Sequence, residues 1–166
     1  ASVAIVALAA CGSDSDGGTS LSGADQELAD AISAEIAAEE DGIGTVLDPD
    51  CLGTNTVAAI GGADGAAAYG LTVDTPDTED VVLSAEDAEA VAAAYADCGD
   101  LKDAFVSGMT ADDSMTAEQA DCLFEDFGSD DIQAVFAESL QGVEDGPAND
   151  RLFEALFGRA EECGLG

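Results

Sequence analysis

Four cysteines stand in a repeated frame, and this frame constrains the fold more than any other feature of the sequence. Asp50-Cys51-Leu52 is echoed by Asp121-Cys122-Leu123. Farther along each stretch, Cys98-Gly99 is echoed by Cys163-Gly164. Two copies of one frame in the same order indicate an internal duplication, because repeated structural units leave self-similarity along the chain.

Helical segments that precede the cysteines repeat as well. Leu28–Ile32 (LADAI) is echoed by Leu101–Phe105 (LKDAF), ahead of the first cysteine of each frame. We therefore predict two tandem helical units, residues 24–99 and residues 100–166. Each unit is expected to contain a helix, a helix start that carries a cysteine, one or two short helices, and a helix that ends in a cysteine.

Helix-forming residues dominate both units, whereas the alternation of β-branched residues that is typical of strands is scarce. Within residues 24–40, Leu28, Ala29, Ile32 and Ile36 recur with the period of one helix face. The sequence therefore predicts an all-α fold in which the two units form one bundle-like array, each closed by a disulfide.

Several helix starts and turns are marked by their local sequence. Ser84-Ala-Glu-Asp87 and Thr116-Ala-Glu-Gln119 resemble capping boxes. Ser129, ahead of two aspartates, is predicted to be an N-cap, and Pro147 is predicted to begin the last helix. The predicted turns lie at Gly42, Gly44, Gly61, Gly62, Gly108 and Gly142.

The four cysteines of the frame are predicted to form disulfides. Four cysteines can pair in three ways, and the duplication favours pairing within each unit, Cys51 with Cys98 and Cys122 with Cys163. Each bridge would close a loop of about 40 to 50 residues and stabilise its unit by about 4 kcal/mol in the chain-entropy model. A metal site is the alternative, but the sequence has neither a CxxC spacing nor a histidine to complete one.

The N-terminal stretch ASVAIVALAACGSDSDGG changes abruptly from apolar residues to Gly, Ser and Asp. Residues 1–10 match the end of a secretory signal and are too few to cross a bilayer, which takes about 20 helical residues. Leu8-Ala9-Ala10-Cys11 resembles the bacterial lipobox, whose cysteine receives a lipid. We predict that residues 1–10 end a lipoprotein signal peptide, that Cys11 is lipidated, and that residues 11–23 form a flexible tether. A buried strand, or a plain secretory signal with a chance cysteine, is the alternative.

Acidic residues outnumber basic ones by 37 to three, and the net charge is −34. The three bases are Lys102, Arg151 and Arg159. Contacts to phosphate require lysine and arginine, so this balance argues against nucleic-acid binding. An anionic membrane would repel the domain, which leaves the lipid on Cys11 as the expected membrane contact. The acidic surface either serves solubility alone or binds divalent cations or a basic protein partner.

No group of residues identifies a reaction. The chain has no histidine to activate a serine, and no cofactor is predicted. The six phenylalanines lie in the second unit, several at helical spacings, and are predicted to be core: Phe105, Phe124, Phe127, Phe136, Phe153 and Phe157. A weak candidate for a cation cluster consists of Asp74, Asp77, Glu79 and Asp80, for which a solvated loop is the alternative.

The lipobox-like stretch, the acidic alanine-rich helices and the repeated Asp-Cys-Leu…Cys-Gly frame resemble the small helical, cysteine-paired lipoproteins of high-GC Gram-positive bacteria. This resemblance implies a helical fold and an extracytoplasmic, lipid-anchored location, and it implies no reaction. We expect a non-catalytic role in binding a partner or structuring the envelope. The alternative is an extracellular hydrolase with a carboxylate pair, which a cleft lined by two facing acids and an aromatic residue would favour.

The lipid anchor leads to a direct test. The native protein is expected to partition into the detergent-rich phase, and Cys11→Ser is expected to move it to the aqueous phase, because acyl chains supply the membrane affinity. Phase separation followed by immunoblotting measures both. A native protein that is aqueous and unmodified at Cys11 would contradict the anchor.

Overall fold

The computed structural model describes residues 21, 23–39, 43–78, 81–110 and 115–165. Within these ranges the chain forms eight α-helices and no β-strand, so the prediction of an all-α fold is confirmed. A short 3₁₀ turn, Ile43–Thr45, follows the first helix. The helices are α1 Ala24–Ala38, α2 Pro49–Ala59, α3 Gly62–Ala68, α4 Ala85–Ala96, α5 Leu101–Thr110, α6 Ala117–Leu123, α7 Ser129–Leu140 and α8 Pro147–Gly158.

Local capping sets most of the predicted helix starts. The Ser84 hydroxyl accepts the backbone N–H of Asp87 at 3.2 Å and begins α4. Thr116 and Gln119 complete a reciprocal capping box at α6, in which the Thr116 N–H donates to Gln119 Oε1 at 2.9 Å. Pro147 is the first residue of α8, as its fixed φ angle favours. These three predictions are confirmed.

Two local predictions are wrong. Gly128, not Ser129, is the N-cap of α7, and the Asp131 carboxylate caps it by accepting the Gly128 N–H at 3.1 Å. The aspartate three residues into the helix therefore replaces the hydroxyl as the capping group. Gly108 lies inside α5 rather than at a turn, because one glycine costs a helix only about 1 kcal/mol and its neighbours continue the helix.

The most extensive contact between two helices in the described residues joins α1 to α2. The predicted face of α1 is buried, and Leu28, Ile32 and Ile36 lie within it. Gly53 of α2 sits against this helix so tightly that a Cβ placed on it would lie 2.2 Å from Ser33 Oγ. A side chain at position 53 would push the two helices apart, so the absence of one is what allows them to pack.

Helix α4 lies between the two halves of the chain. A disulfide joins Cys51 of α2 to Cys98, just beyond α4, with the Cα atoms 5.6 Å apart. Beside it, Asn55 Nδ2 donates to the Ala94 carbonyl at 2.9 Å. At the next residue of each helix, the hydroxyl of Thr56 donates to the phenolic oxygen of Tyr95 at 3.2 Å, and burial raises the pKa of that tyrosine. The bridge and the hydrogen bonds fix α4 on α2.

The second predicted disulfide is also present, and the two units share one core. Cys122 of α6 is bonded to Cys163, with the Cα atoms 5.7 Å apart. Between the units, α4 packs on α7, and the Leu83 N–H donates to the Leu140 carbonyl at 2.8 Å. The buried side chains of both units form a single cluster. Four helices lie in the described part of each predicted unit, and the duplication itself stays a prediction.

Cleavage at methionine provides a test of the disulfide arrangement. The chain has two methionines, Met109 and Met115, and neither disulfide spans the segment between them. Cyanogen bromide treatment of the denatured, unreduced protein is therefore expected to release two large fragments that separate without reductant. Mass spectrometry should show one fragment that ends at Met109 and another that begins at Thr116, and each should gain two hydrogen atoms on reduction. Fragments that stay joined until reduction would contradict this arrangement.

Candidate functional site

Exposed apolar side chains cluster at the turn between α7 and α8. Six large hydrophobic side chains are exposed among the described residues, and four of them lie in this region. We call these four residues the apolar strip: Val82, Val143, Phe153 and Phe157. Val82 belongs to it because a Cβ placed on Gly142 would lie 3.4 Å from Val82 Cγ2. An exposed apolar patch of this kind is typical of an interaction site.

The two phenylalanines of the strip correct the prediction that all six are core. Phe124 and Phe127 are buried and meet edge to face, with ring centroids 6.0 Å apart, so they do belong to the core. Phe153 and Phe157 are 51% and 77% exposed. They lie four residues apart on α8 and stack with centroids 6.1 Å apart and planes inclined by 14°. The pair presents aromatic surface to solvent.

A cleft of about 590 Å³ opens beside Phe153. Its walls are the α7–α8 turn on one side and the first turns of α8 on the other. The turn is held in place because Asn149 Nδ2 donates to the Val143 carbonyl at 2.9 Å and the Val143 N–H donates to the Glu138 carbonyl at 2.9 Å. The cleft is lined by Ser139, Gly142, Val143, Glu144, Asp145, Asn149 and Phe153.

The start of α8 is fixed by a carboxylate from α7. Glu138 accepts the backbone N–H groups of Ala148 at 2.9 Å and Asn149 at 2.8 Å, one with each oxygen. Gly146 lies so close that a Cβ placed on it would meet the Glu138 carboxyl carbon at 2.2 Å. Glu138 thus caps α8 from a neighbouring helix and sets the position from which Phe153 is displayed.

The end of α8 is fixed by ion pairs and by a disulfide. Arg159, directly after the helix, contacts Glu125 at 2.8 Å and Asp126 at 3.3 Å. The hydrogen bond to Glu125 raises the pKa of Arg159, and the nearby acidic charges act in the same direction. Cys163 then joins the following turn to Cys122. Both ends of α8, the helix that carries Phe153 and Phe157, therefore have contacts to other parts of the fold.

All three basic side chains of the chain have partners within it. Besides Arg159, Arg151 contacts Asp131 at 2.8 Å. Lys102 Nζ donates to the Phe124 carbonyl at 2.7 Å, at the end of α6. The bases thus tie helices together, and an anionic ligand would have to displace one of these contacts. The chain is better suited to bind cationic or apolar groups.

One carboxylate among the described residues takes part in a hydroxyl network. The hydroxyls of Tyr69 and Ser84 both donate to Asp87, the latter at 2.9 Å. The hydrogen bond from Tyr69, followed by that from Ser84, lowers the pKa of Asp87 below its ordinary 3.8. The network stabilises the fold above that pH and loses its contribution as the pH falls through the lowered pKa. A general acid needs a raised pKa, so the lowered pKa of Asp87 argues against that role, and its carboxylate instead links Tyr69 to Ser84 at the start of α4.

The other predicted site residues are scattered. The four frame cysteines form the two disulfides, and Cys11 lies outside the described residues. Asp74 and Asp77 are exposed in the segment between α3 and α4, while residues 79–80 lie outside the described ranges. In the described part of the chain, no three acidic or cysteine side chains are arranged to hold a metal ion. Because two of its four residues lie outside the described ranges, the cation cluster stays a prediction.

The spacing of apolar residues in α8 is a sequence signal for the apolar strip. Leu152, Phe153, Leu156 and Phe157 form two adjacent pairs at four-residue spacing, so the apolar face of α8 is wide. Helix α8 packs chiefly on α7, and this contact buries Leu152 but leaves Phe153 exposed. A face wider than one neighbour can cover predicts an exposed remainder.

Comparison of the chain with protein-family models, with curated proteins and with solved structures found no match.

The cap on α8 is expected to contribute measurably to stability. Glu138→Ala leaves the N–H groups of Ala148 and Asn149 without their carboxylate, and we expect the free energy of unfolding to fall by about 1–2 kcal/mol. Denaturant titration followed by circular dichroism measures it. Glu89→Ala removes an exposed helix glutamate and serves as the matched control. Equal losses in the two variants would contradict the role of the cap.

Proposed function

We propose that this protein is a lipid-anchored, extracytoplasmic binding protein that acts without catalysis. Its docking surface is the apolar strip, and its partner is a protein segment that carries apolar side chains flanked by lysine or arginine. The observation that carries the proposal is the stacked, exposed pair Phe153–Phe157 on a helix held at both ends. Exposed aromatic residues on a rigid element are the common anchors of protein interfaces.

Charge favours a basic partner over the other possible occupants. Glu144 and Asp145 border the strip and are exposed, and the whole chain carries a net charge of −34. A second copy carries the same charge and would be repelled from the strip. An anionic surface would be repelled for the same reason. A segment that combines leucine-like side chains with lysine or arginine matches both the apolar and the acidic part of the site.

The disulfides support the proposed location. The two disulfides are compatible with an oxidising, extracytoplasmic compartment. Among the described residues there is no helix with the length and apolar character to span a bilayer. The lipid on Cys11 then supplies the proposed attachment, and residues 11–23 supply the tether that separates the docking surface from the membrane.

The hydrolase alternative draws on the same cleft but fits it less well. Glu144, Asp145 and Phe153 do bring two acids and an aromatic residue together. The two acids are consecutive residues of one turn, whereas the carboxylates of a glycosidase stand on opposite sides of the bond that is cleaved. Both are exposed, so burial does not prepare either of them to act as a general acid. A binding role needs only their charge.

Peptide binding tests the proposal. The full chain with Cys11→Ser is titrated into a fluorescein-labelled peptide in which leucines alternate with lysine and arginine, and binding is followed by fluorescence anisotropy. We expect the double variant Phe153→Ser and Phe157→Ser to bind at least about tenfold more weakly, because interface aromatic residues contribute most to affinity. Binding should also weaken as salt is added, because the partner charges are screened.

A matched control separates the strip from general apolar exposure. Val46 and Val73 are exposed valines outside the strip, so the double variant Val46→Ser and Val73→Ser should bind as the parent does. A peptide with glutamate in place of the bases should not bind. Equal binding by the phenylalanine variants and the parent, or equal binding of the acidic peptide, would overturn the proposal.

A further inference from the structure

We infer that the cleft beside Phe153 receives an arginine side chain of the partner and prefers it to lysine. This inference rests on the proposed function, because it names the group that the docking surface selects. It starts from the composition of the cleft, where carboxylates, an amide and an aromatic ring line one open space of about 590 Å³.

The acidic wall of the cleft is not neutralised by the protein's own bases. Arg151 is paired with Asp131, and Arg159 is paired with Glu125 and Asp126, none of which lines the cleft. Lys102 Nζ donates a hydrogen bond to the Phe124 carbonyl at the end of α6. The charge of Glu144 and Asp145 therefore remains available to a cation that comes from outside. This charge attracts lysine and arginine alike, so it does not by itself choose between them.

The aromatic ring of Phe153 accounts for the preference for arginine over lysine. Phe157 stacks beside the Phe153 ring with a large offset, and Phe153 also lines the cleft. A cation in the cleft therefore lies next to aromatic surface and next to carboxylates at once. A guanidinium group is flat and weakly hydrated, so it can stack on a ring while its N–H groups point in its own plane towards carboxylates. An ammonium group is compact and strongly hydrated, and it gains less from the ring.

The rigidity of the cleft supports discrimination between the two cations. The side chain of Asn149 is held by its hydrogen bond to the Val143 carbonyl. Glu138 fixes the first turn of α8 by accepting two of its backbone N–H groups. The ring and the acidic turn are thereby kept at a set distance from each other. Ion pairs at an exposed site contribute little on their own, since water screens them. The stacking of the guanidinium on Phe153 therefore carries the preference.

The test compares three peptides that differ only in the side chain between their leucines. One carries arginine, one carries lysine, and one carries citrulline, which has the shape of arginine without its charge. With the full chain carrying Cys11→Ser, we expect the arginine peptide to bind about five- to tenfold more tightly than the lysine peptide. The citrulline peptide should bind more weakly than both, and Glu144→Gln with Asp145→Asn should weaken the arginine and lysine peptides together.

A matched pair of ring variants assigns the preference to one residue. Phe153→Leu keeps an apolar side chain but removes the ring from the cleft, and we expect it to bind the arginine and lysine peptides equally. Phe157→Leu leaves Phe153 in the cleft and should keep the preference for arginine. Circular dichroism melting confirms that both variants are folded, as expected for side chains that are 51% and 77% exposed.

The outcomes separate this inference from the proposed function. Equal affinity of the parent for the arginine and lysine peptides would overturn the inference and leave the docking surface in place. A preference that survives Phe153→Leu would also overturn it. If neither basic peptide binds, the inference and the proposed function both fail.

Discussion

The attraction between carboxylates and the starts of helices is the interaction on which this fold depends. A chain with 37 acidic and three basic residues cannot neutralise its charge with ion pairs. The N–H groups at a helix start carry a partial positive charge, and they donate hydrogen bonds to carboxylates as basic side chains otherwise would. The carboxylates that cap a helix in this way belong to Asp25 at α3, Asp48 at α2, Asp100 at α5, Asp131 at α7 and Glu138 at α8. The acidity is therefore part of the architecture as well as of the surface.

The separation along the sequence between two contacting residues decides whether the contact could be predicted from the sequence. The caps at Ser84 and Thr116 use residues three positions away, so their spacing predicted them correctly. The two cysteines of each disulfide are distant in sequence, but the repeated frame predicted their pairing correctly. Asp25 and Glu138 accept the N–H groups of helix residues that lie 38 and 10 positions farther along the chain, and no local sequence pattern predicts such contacts. The all-α class was therefore predictable, and the contacts that position α8 were not.

The candidate site was missed because a sequence pattern gives the width of an apolar face but not the partner that covers it. The spacing of Phe153 and Phe157 is the same as that of core residues, and only the packing of α8 on α7 leaves them exposed. High charge makes this exposure tolerable, since repulsion between copies opposes association through the strip. The acidic surface thus opposes self-association through an apolar strip that a neutral protein of this size would tend to bury against a second copy.

The disulfides also divide the chain into parts that respond differently to mechanical force. Helix α1 lies outside both disulfide loops, whereas the segments between Cys51 and Cys98 and between Cys122 and Cys163 are closed, with sequence separations of 47 and 41. A force applied at the N-terminal side would first detach α1 from α2, where Gly53 lies at the contact. The residues inside the two loops could not contribute their extended lengths, about 160 Å and about 140 Å, until the disulfide of each loop broke. Val82 lies within the first loop and the other three residues of the strip lie within the second, so the strip belongs to the parts of the protein that tension unravels last.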